Sequence, residues 1–336
     1  MEKILTIVIP TYNMEQYIAR CLDSLLIKEN FEKIDILVVN DGSKDKTSEI
    51  ARIYQDKYPE SIRVIDKENG NYGSCINCGL KKARGKYIKI LDSDDFFDIN
   101  SFQLFVNELM YSDADLILSD FNIVMNGDIQ QSISFDTLNS SKEFHFQYIN
   151  IDYFAMHSVA YRTEILRKIN YRQTEKISYT DQEWIFYPII AVNTVRYLKY
   201  NVYQYQLGRD GQTMNPDIHA RSISHEILII KRMLKYIENL DFSSISIKHG
   251  EYMKNRIRIR VLQIYKMMLI EISDKFYNHE TQNDFDSFLK EHSLTIYKEL
   301  DNYIPRRLIP IRYIKIWRKT KLRLPSFLRK IINKYA

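Results

Sequence analysis

Apolar residues in the first hundred positions fall into two alternating kinds of segment. Short unbroken runs rich in β-branched residues occupy Ile4 to Ile9, Ile34 to Val39, more weakly Ile62 to Ile65, and Tyr87 to Leu91. Runs of this length that stop at turn residues, as the first does at Pro10, read as buried parallel strands. Between them, Glu15 to Leu26, Thr47 to Tyr58 and Tyr72 to Ala83 carry apolar residues at helical spacing, and Gly85 stands where a glycine would close the third helix. The alternation predicts βαβ units and a mostly parallel, doubly wound α/β sheet. After Asp120 it fades. Gln130 to Phe135 alternates, Val195 to Gln206 reads as another strand, and from Asp217 onward the spacing is helical, at Ile227, Ile230, Leu234 and Ile237 and again from Tyr252 to Ile272. Boundaries near Pro216 and Asn302 divide the chain into 1–216, 217–302 and 303–336.

Composition narrows the class. At 336 residues, 45% hydrophobic with 9 Gly and 7 Pro, the chain can bury a sizeable core and has no low-complexity character. No stretch of about 18 apolar residues runs free of charge, and the first ten residues lack the basic-then-apolar pattern of an export signal, so a cytoplasmic protein is expected. Cys21, Cys75 and Cys78 are expected to be free thiols, and the Cys75–Cys78 spacing lacks the second pair that a structural zinc site needs. The net charge of +5 is unevenly spread: residues 303–336 hold eleven of the 48 Lys/Arg and none of the 43 Asp/Glu. Those cations alternate with Ile, Leu, Trp317 and Phe327, the pattern of a helix lying on an anionic membrane surface, although Pro310 and Pro325 would break it into pieces. A solvated basic end, or an arm packed on the acidic remainder, produces the same composition. No nucleic-acid motif accompanies the charge, so none is expected as a partner.

Polar clusters follow the strands directly: Thr11-Tyr12-Asn13, Asn40-Asp41-Gly42-Ser43 and Asp92-Ser93-Asp94-Asp95. Ligands of open α/β sheets sit outside the carboxyl ends of the strands, so the three converge on one crevice. Two carboxylates at i and i+2 can divide their work, one holding a divalent cation and the other a sugar hydroxyl, while the cation neutralises a departing diphosphate. The same string also suits a polar loop capping a helix from Asn100. Asp41 can accept from the N3–H of a uracil-type base and Tyr12 can stack on it, or the two can serve simply as turn and sheet-edge residues.

Five motifs in order then carry a resemblance: Ile9-Pro10-Thr11-Tyr12-Asn13, Val39-Asn40-Asp41-Gly42-Ser43, Glu68-Asn69-Gly70-Asn71-Tyr72-Gly73-Ser74 with Asn77 and Gly79, Gly85-Lys86-Tyr87-Ile88, and Leu91-Asp92-Ser93-Asp94-Asp95. The chain resembles the family 2 glycosyltransferases, strongly over residues 4–95 and loosely to about 215. The resemblance implies the GT-A fold, a helical C-terminal extension, and inverting transfer from a nucleotide diphosphate sugar, most simply a UDP-sugar, with Mn²⁺ or Mg²⁺ as cofactor. It implies a glycan or lipid-linked acceptor of the kind used to build capsular, exopolysaccharide or wall polymers. Donor-binding residues would be Pro10, Thr11, Tyr12, Asp41, Asn69, Gly70, Gly73, Asp92 and Ser93, with Asp94 on the metal. Asn69, Gly70 and Gly73 either bring backbone amides to an anion at a helix start or form a turn that caps that helix.

An inverting transfer needs a base opposite the leaving group. The family places it in a Glu-Asp pair ahead of a helix; here the place reads Thr180-Asp181, which departs from that pattern and leaves Asp181 as the catalytic residue, with Glu183 next. Asp181 would also suit an ordinary N-cap. Arg209, in Gln206 to Thr213, can close on a diphosphate or lie in a solvated hairpin, and His157 is either acceptor-side or structural. Two other classes compete. A non-catalytic binding protein of the same fold would be expected to have lost Asp92 and Asp94, and a sugar-phosphate nucleotidylyltransferase would need a glycine-rich basic loop where Pro10 to Asn13 stand.

Overall fold

The computed structural model describes residues 2–138, 142–151, 153–209, 216–304 and 311–335; Asp210 to Thr213 of the loop after Gln206, and Arg306, Arg307 and Pro310 of the basic segment, lie outside the described residues. Contacts divide the chain into two compact units, Met1–Asp210 with Ser246–His249, and Gly211–Ile245 with Gly250–Ala336.

The first unit is built on one ten-stranded sheet: β1 (Lys3–Thr11), β2 (Ile34–Asn40), β3 (Ile62–Asp66), β4 (Gly85–Ile90), β5 (Phe96–Phe97), β6 (Leu116–Met125), β7 (Asp128–Ile133), β8 (Glu143–His145), β9 (Val159–Arg162) and β10 (Thr194–Leu207). The order is β3-β2-β1-β4-β9-β6-β10-β5, with β7 on β6 and β8 on β10. Strands β1 to β4 pair in parallel, as their continuous apolar runs require. From β9 outward the sheet is mixed, with β9 antiparallel to both β4 and β6, and β10 parallel to β6. The sequence pattern found β10, as Val195 to Gln206, and the alternation near β7, but not β9 or β6; in β6 buried polar residues interrupt the apolar run. Asn122 donates to Gln204 at 3.0 Å and the Tyr197 hydroxyl to Asp120 at 2.9 Å, so cross-strand partners satisfy groups that would otherwise read as exposed.

Helices α1 (Ile18–Asp23), α2 (Thr47–Lys57), α3 (Asn71–Lys82), α4 (Ile99–Leu109), α5 (Thr163–Lys168) and α6 (Asp181–Trp184) complete the unit. Leu5, Ile7 and Ile9 of β1 share one core with Ile34, Ile36 and Val38 of β2, Cys21 and Leu22 of α1, Ala51 of α2 and Phe102 and Phe105 of α4. The opposite face takes α3, packed so closely that a Cβ on Gly79 would lie 2.4 Å from the Val8 side chain. Gly85 does not close α3, which ends against Ala83 in extended backbone. It opens β4 instead, where a Cβ would meet the Thr6 amide nitrogen at 2.3 Å. The first predicted helix is trimmed to Ile18–Asp23.

Among its described residues the second unit is helical. It comprises α7 (Pro216–Arg221), α8 (Ile223–Glu238), α9 (Ile247–Lys266), a π-helical turn (Met267–Glu271), α10 (His279–His292), α11 (Leu294–Leu300), α12 (Tyr313–Thr320) and α13 (Ser326–Tyr335). The periodic positions Ile227, Ile230 and Leu234 are buried, with Ile257, Val261, Ile264, Phe285, Leu289 and Trp317. No helix among the described residues is long and apolar enough to cross a membrane.

Candidate active site

Because β1 lies between β2 and β4, the loops leaving all three open on the same sheet edge. Two of those loops are tied together. The Asp41 amide donates to the Thr11 carbonyl at 2.8 Å, the Asn13 amide to Ser43 Oγ at 3.0 Å, and the Lys44 amide to Asn13 Oδ1 at 2.8 Å. Pro10 and Thr11 are buried in this wall, while Tyr12 stands out from it with 47% of its surface exposed, open for a planar ligand.

Asp41 is the centre of a first cluster. Its Oδ1 accepts from Lys67 Nζ at 2.6 Å and from the Gly70 amide at 3.0 Å, and its carbonyl accepts from Asn69 Nδ2 at 3.0 Å. The Gly70 amide is thus committed to Asp41 rather than presented to an anion, and Gly70 is the N-cap of α3. Gly73 has a different task. A Cβ there would sit 2.0 Å from the Thr174 carbonyl oxygen, so it is the close passage of another segment that requires glycine. Lys67 could not be singled out in the sequence, since nothing local marks a lysine one turn ahead of the Asn-Gly pair as the partner of Asp41.

The second cluster follows β4. The helix-capping alternative for this loop does not hold, since α4 is capped by Asp98, which accepts from the Ser101 amide at 2.8 Å. Asp92 is half-buried and accepts from the Tyr72 hydroxyl at 2.7 Å. Loss of solvent and the neighbouring charge of Asp94 push its carboxyl well above the usual range; the Tyr72 hydrogen bond pulls the other way, and the charge of Asp181 adds to the rise. Asp95 is buried, holds the Tyr203 hydroxyl at 2.6 Å and the Gln206 amide at 2.7 Å, and is raised further by burial and by Asp94 and Asp92. Ser93 is buried between them. Asp94 faces another way: its Oδ2 accepts from Arg209 Nε at 2.5 Å, and its backbone carbonyl from Arg20 at 2.7 Å.

His157 completes this cluster. It stacks on Tyr205, with ring centroids 4.4 Å apart, and its Nδ1 is buried without a hydrogen-bond partner. Burial, and then the charge of Lys89, push its imidazole down to about 3, so it is neutral at physiological pH. Lys89 is fully buried and donates to the His157 carbonyl at 2.6 Å, holding that segment in place. Ligand atoms of Asp92, Asp95 and His157 lie within 4.8 Å of one another. Two carboxylates and a neutral imidazole form a donor set that suits Mn²⁺ better than Mg²⁺, whose ligands are oxygens, and an orphaned imidazole nitrogen beside crowded carboxylates is the environment a cation would relieve. Asp95 and His157 escaped sequence reading as metal candidates because their meeting depends on β9, β10 and the loop after β4 coming together.

Asp181 arrives on a strap. Residues 172–180 are fastened to α3 by Asn77, which accepts from the Gln173 amide at 2.8 Å and donates to its carbonyl at 2.9 Å, and by the Lys176 amide donating to Gly70 at 2.8 Å. Tyr179 enters the turn in left-handed backbone (φ 65°), a conformation that a bulky residue adopts only when its surroundings impose it. Thr180, standing where the family carries Glu, is fully buried, accepts from Gln173 at 3.0 Å and is the N-cap of α6. Asp181 is therefore the first residue of the helix and not its cap, and its Oδ2 accepts from Gln182 at 2.7 Å. Glu183 is buried and holds the Thr174 amide at 2.6 Å and hydroxyl at 2.7 Å, which makes it a fastener of the strap. The structure thus brings Asp92, Asp94 and Asp181 into one electrostatic neighbourhood with Arg209, and sets Asp41, Asn69 and Gly70 in an adjoining one. A cavity of about 860 Å³ runs along α3; its rim includes Lys67, Asn69 and Gly70 but none of Asp92, Asp94 or Asp181.

The profile of glycosyl transferase family 2 matches residues 6–170, the span that holds both clusters and His157. Residues 6–170 are a glycosyltransferase family 2 domain. Among relatives, the chain is 48% identical over 101 residues to an uncharacterised glycosyltransferase of Mycoplasma pneumoniae, covering 29% of this chain and 33% of that one. It is 38% identical over 103 residues to the minor teichoic acid biosynthesis protein GgaB of Bacillus subtilis, covering 30% of this chain and 11% of that one. The chain thus spans a third or less of the length of these family 2 relatives. In fold, this glycosyltransferase is similar to S. aureus TarS residues 1–349 solved with UDP-GlcNAc, with TM-score 0.66, 19% identity, and coverage of 99% of this chain and 91% of that one. It is also similar to the mannosyltransferase PcManGT of Pyrobaculum calidifontis solved with GDP-Man and Mn²⁺, with TM-score 0.53, 14% identity, and coverage of 89% and 83%. The GT-A architecture expected from the sequence is the architecture observed.

Proposed function

We propose that this glycosyltransferase moves a sugar, with inversion, from a UDP-sugar to a hydroxyl of a lipid-linked or polymeric glycan during surface polysaccharide synthesis. The observation that carries the reading is the crowding of Asp92, Asp94 and Asp181 at the end of β4, where burial and then the charges of Asp94 and Asp181 raise Asp92 despite the Tyr72 hydrogen bond and the charge of Arg209. Such a cluster is poised for a ligand that brings positive charge. The nucleotide sugars held by TarS and PcManGT, and the Mn²⁺ in the latter, support the donor class and the cation.

In this reading Tyr12 stacks on the base, Asp41 Oδ2 accepts its N3–H while Lys67 and Gly70 fix Oδ1, and Asp92 receives ribose or donor-sugar hydroxyls with Tyr72 holding its orientation. Pro10, Thr11, Asn69, Gly70, Gly73 and Ser93 shape the donor pocket. Asp94 and the Asp92–Asp95–His157 group are the residues that would hold the divalent cation, which supplies Lewis-acid neutralisation of the diphosphate when bound. Arg209 adds guanidinium donors on the same side. Asp181 takes the acceptor O–H proton as that oxygen bonds to the anomeric carbon. The carbon–phosphate-oxygen bond breaks with its electron pair leaving on the diphosphate. Residues 1–216 are the donor-binding and catalytic part, 217–302 are a helical region, and 303–336 bring the enzyme to the inner face of the plasma membrane.

A donor panel assayed for hydrolysis and transfer, with and without Mn²⁺, tests this. UDP-sugar turnover that requires the cation and disappears in Asp94→Ala is expected. Cation-independent turnover, or no turnover of any UDP-sugar in the presence of a lipid-linked acceptor mixture, contradicts it.

A further inference from the structure

Three arginines of the basic segment point inward, while Arg312 is exposed. Arg318 donates to Asp286 at 2.8 Å and to Asp301 at 2.9 Å, Arg323 to Asp274 at 2.8 Å and to the Ile272 carbonyl at 2.7 Å, and Arg329 to both oxygens of Asp274 at 2.9 Å. With them, Tyr313, Ile314, Trp317 and Ile332 are buried. These contacts anchor α12 and α13 on the second unit and account for part of the cationic excess without any external partner.

What remains outward is different. Lys319, Lys321 and Lys330 are exposed, and among them stand Leu322, Phe327 and Ile331, exposed by 70, 63 and 43%. Phe327, Lys330 and Ile331 stand three and four positions apart on α13, on the face opposite Arg329 and Ile332. A monomer gains nothing from leaving a phenylalanine and two aliphatic side chains in water beside lysines when arginines a few residues away are folded in. Exposed apolar side chains interspersed along the chain with exposed lysines match one environment in charge and polarity together, the boundary between acyl chains and anionic headgroups.

We propose that Leu322, Phe327 and Ile331 insert into an anionic lipid surface, with Lys319, Lys321 and Lys330 held at the headgroups. This deepens the reading above by fixing which face of the enzyme meets the bilayer, and it rests on that reading only for its biological purpose, since binding requires neither donor nor acceptor.

The test is co-sedimentation of the full chain with phosphatidylcholine vesicles containing or lacking phosphatidylglycerol. Wild type is expected to bind the anionic vesicles and to release with salt. Phe327→Asp with Ile331→Asp should abolish binding. Lys319→Gln, Lys321→Gln and Lys330→Gln together should weaken it on the order of a hundredfold, at about fivefold per lysine. All substituted side chains are exposed, so circular dichroism should be unchanged. Equal binding to both vesicle types, wild-type binding by either variant, or a concentration-dependent dimer that Phe327→Asp dissolves would overturn the assignment, the last by giving the patch to a second copy. Failure of sugar transfer with vesicle binding intact would count against the proposed reaction and leave this surface standing.

Discussion

The second unit and the loop after β4 in the first handle buried acid in opposite ways. In the second unit each buried carboxylate has its own cations. Glu226 receives His219 and Arg260, and Asp286 receives Arg318 and the Tyr265 hydroxyl. Burial alone would raise Glu226, but the His219 hydrogen bond and the charge of Arg260 outweigh it and hold the carboxyl below its ordinary range. In that loop Asp92 and Asp95 sit beside Asp94, whose carboxylate takes Arg209 and whose carbonyl takes Arg20, and burial with like charge raises the carboxyls of Asp92 and Asp95. Paired acids hold a fold together, whereas crowded acids wait for something to arrive. Elsewhere in the first unit buried acids are paired as in the second, Asp35 with Arg63 and Asp41 with Lys67, so the crowding is local to the loop after β4.

Substitutions should split along the same line. The largest effect on activity is expected for Asp181→Ala: transfer lower by about 10²–10⁴-fold, with UDP still bound and the melting curve intact, read from product formation and from calorimetric titration. The corresponding effect on stability is expected for Glu226→Ala, which removes the buried acid that half-buried Arg260 and His219 share and should cost about 1–3 kcal/mol in urea unfolding, with UDP affinity unchanged. Its pH dependence has a definite sign. The stabilisation from Glu226 is complete above the ordinary glutamate pKa of about 4.3 and drains away as pH falls through the lower folded value, so wild type and Glu226→Gln should converge in acid. Gly73→Ala should be intermediate. Its Cβ forces the Thr174 carbonyl away, shifting the strap that carries Asp181, so kcat should fall about tenfold or more at nearly constant donor KM. The smallest effect on activity is expected for Gly79→Ala, where crowding against Val8 should cost about 1–3 kcal/mol with kcat unchanged.

How far the sequence spoke depended on whether neighbours in space were neighbours in the chain. The β1–β4 half was legible because each strand is an uninterrupted apolar run and each helix keeps its period. Asp41, Asp92 and Asp94 were legible because a strand end delivers them. In the mixed half β10 was legible but β6 and its pairing were not, since Asn122 is a buried polar residue satisfied by Gln204 across the strands. Gly85 and Gly73 misled in the same way: each looks like a turn glycine, yet the space each leaves is filled by a distant backbone, Thr6 for one and Thr174 for the other. The pairing of Asp94 with Arg209 and the meeting of Asp95 with His157 join residues far apart in the chain, and no local pattern announces them.

The central claim is that the crowded carboxylates await a cation and a nucleoside diphosphate together. Calorimetric titration of UDP into wild type and Asp94→Ala, each with and without Mn²⁺, tests it most directly. Wild-type affinity should rise at least tenfold with the cation, and that gain should vanish in Asp94→Ala while metal-free binding persists. Equal affinity with and without Mn²⁺ in wild type, or an undiminished gain in the variant, would contradict it.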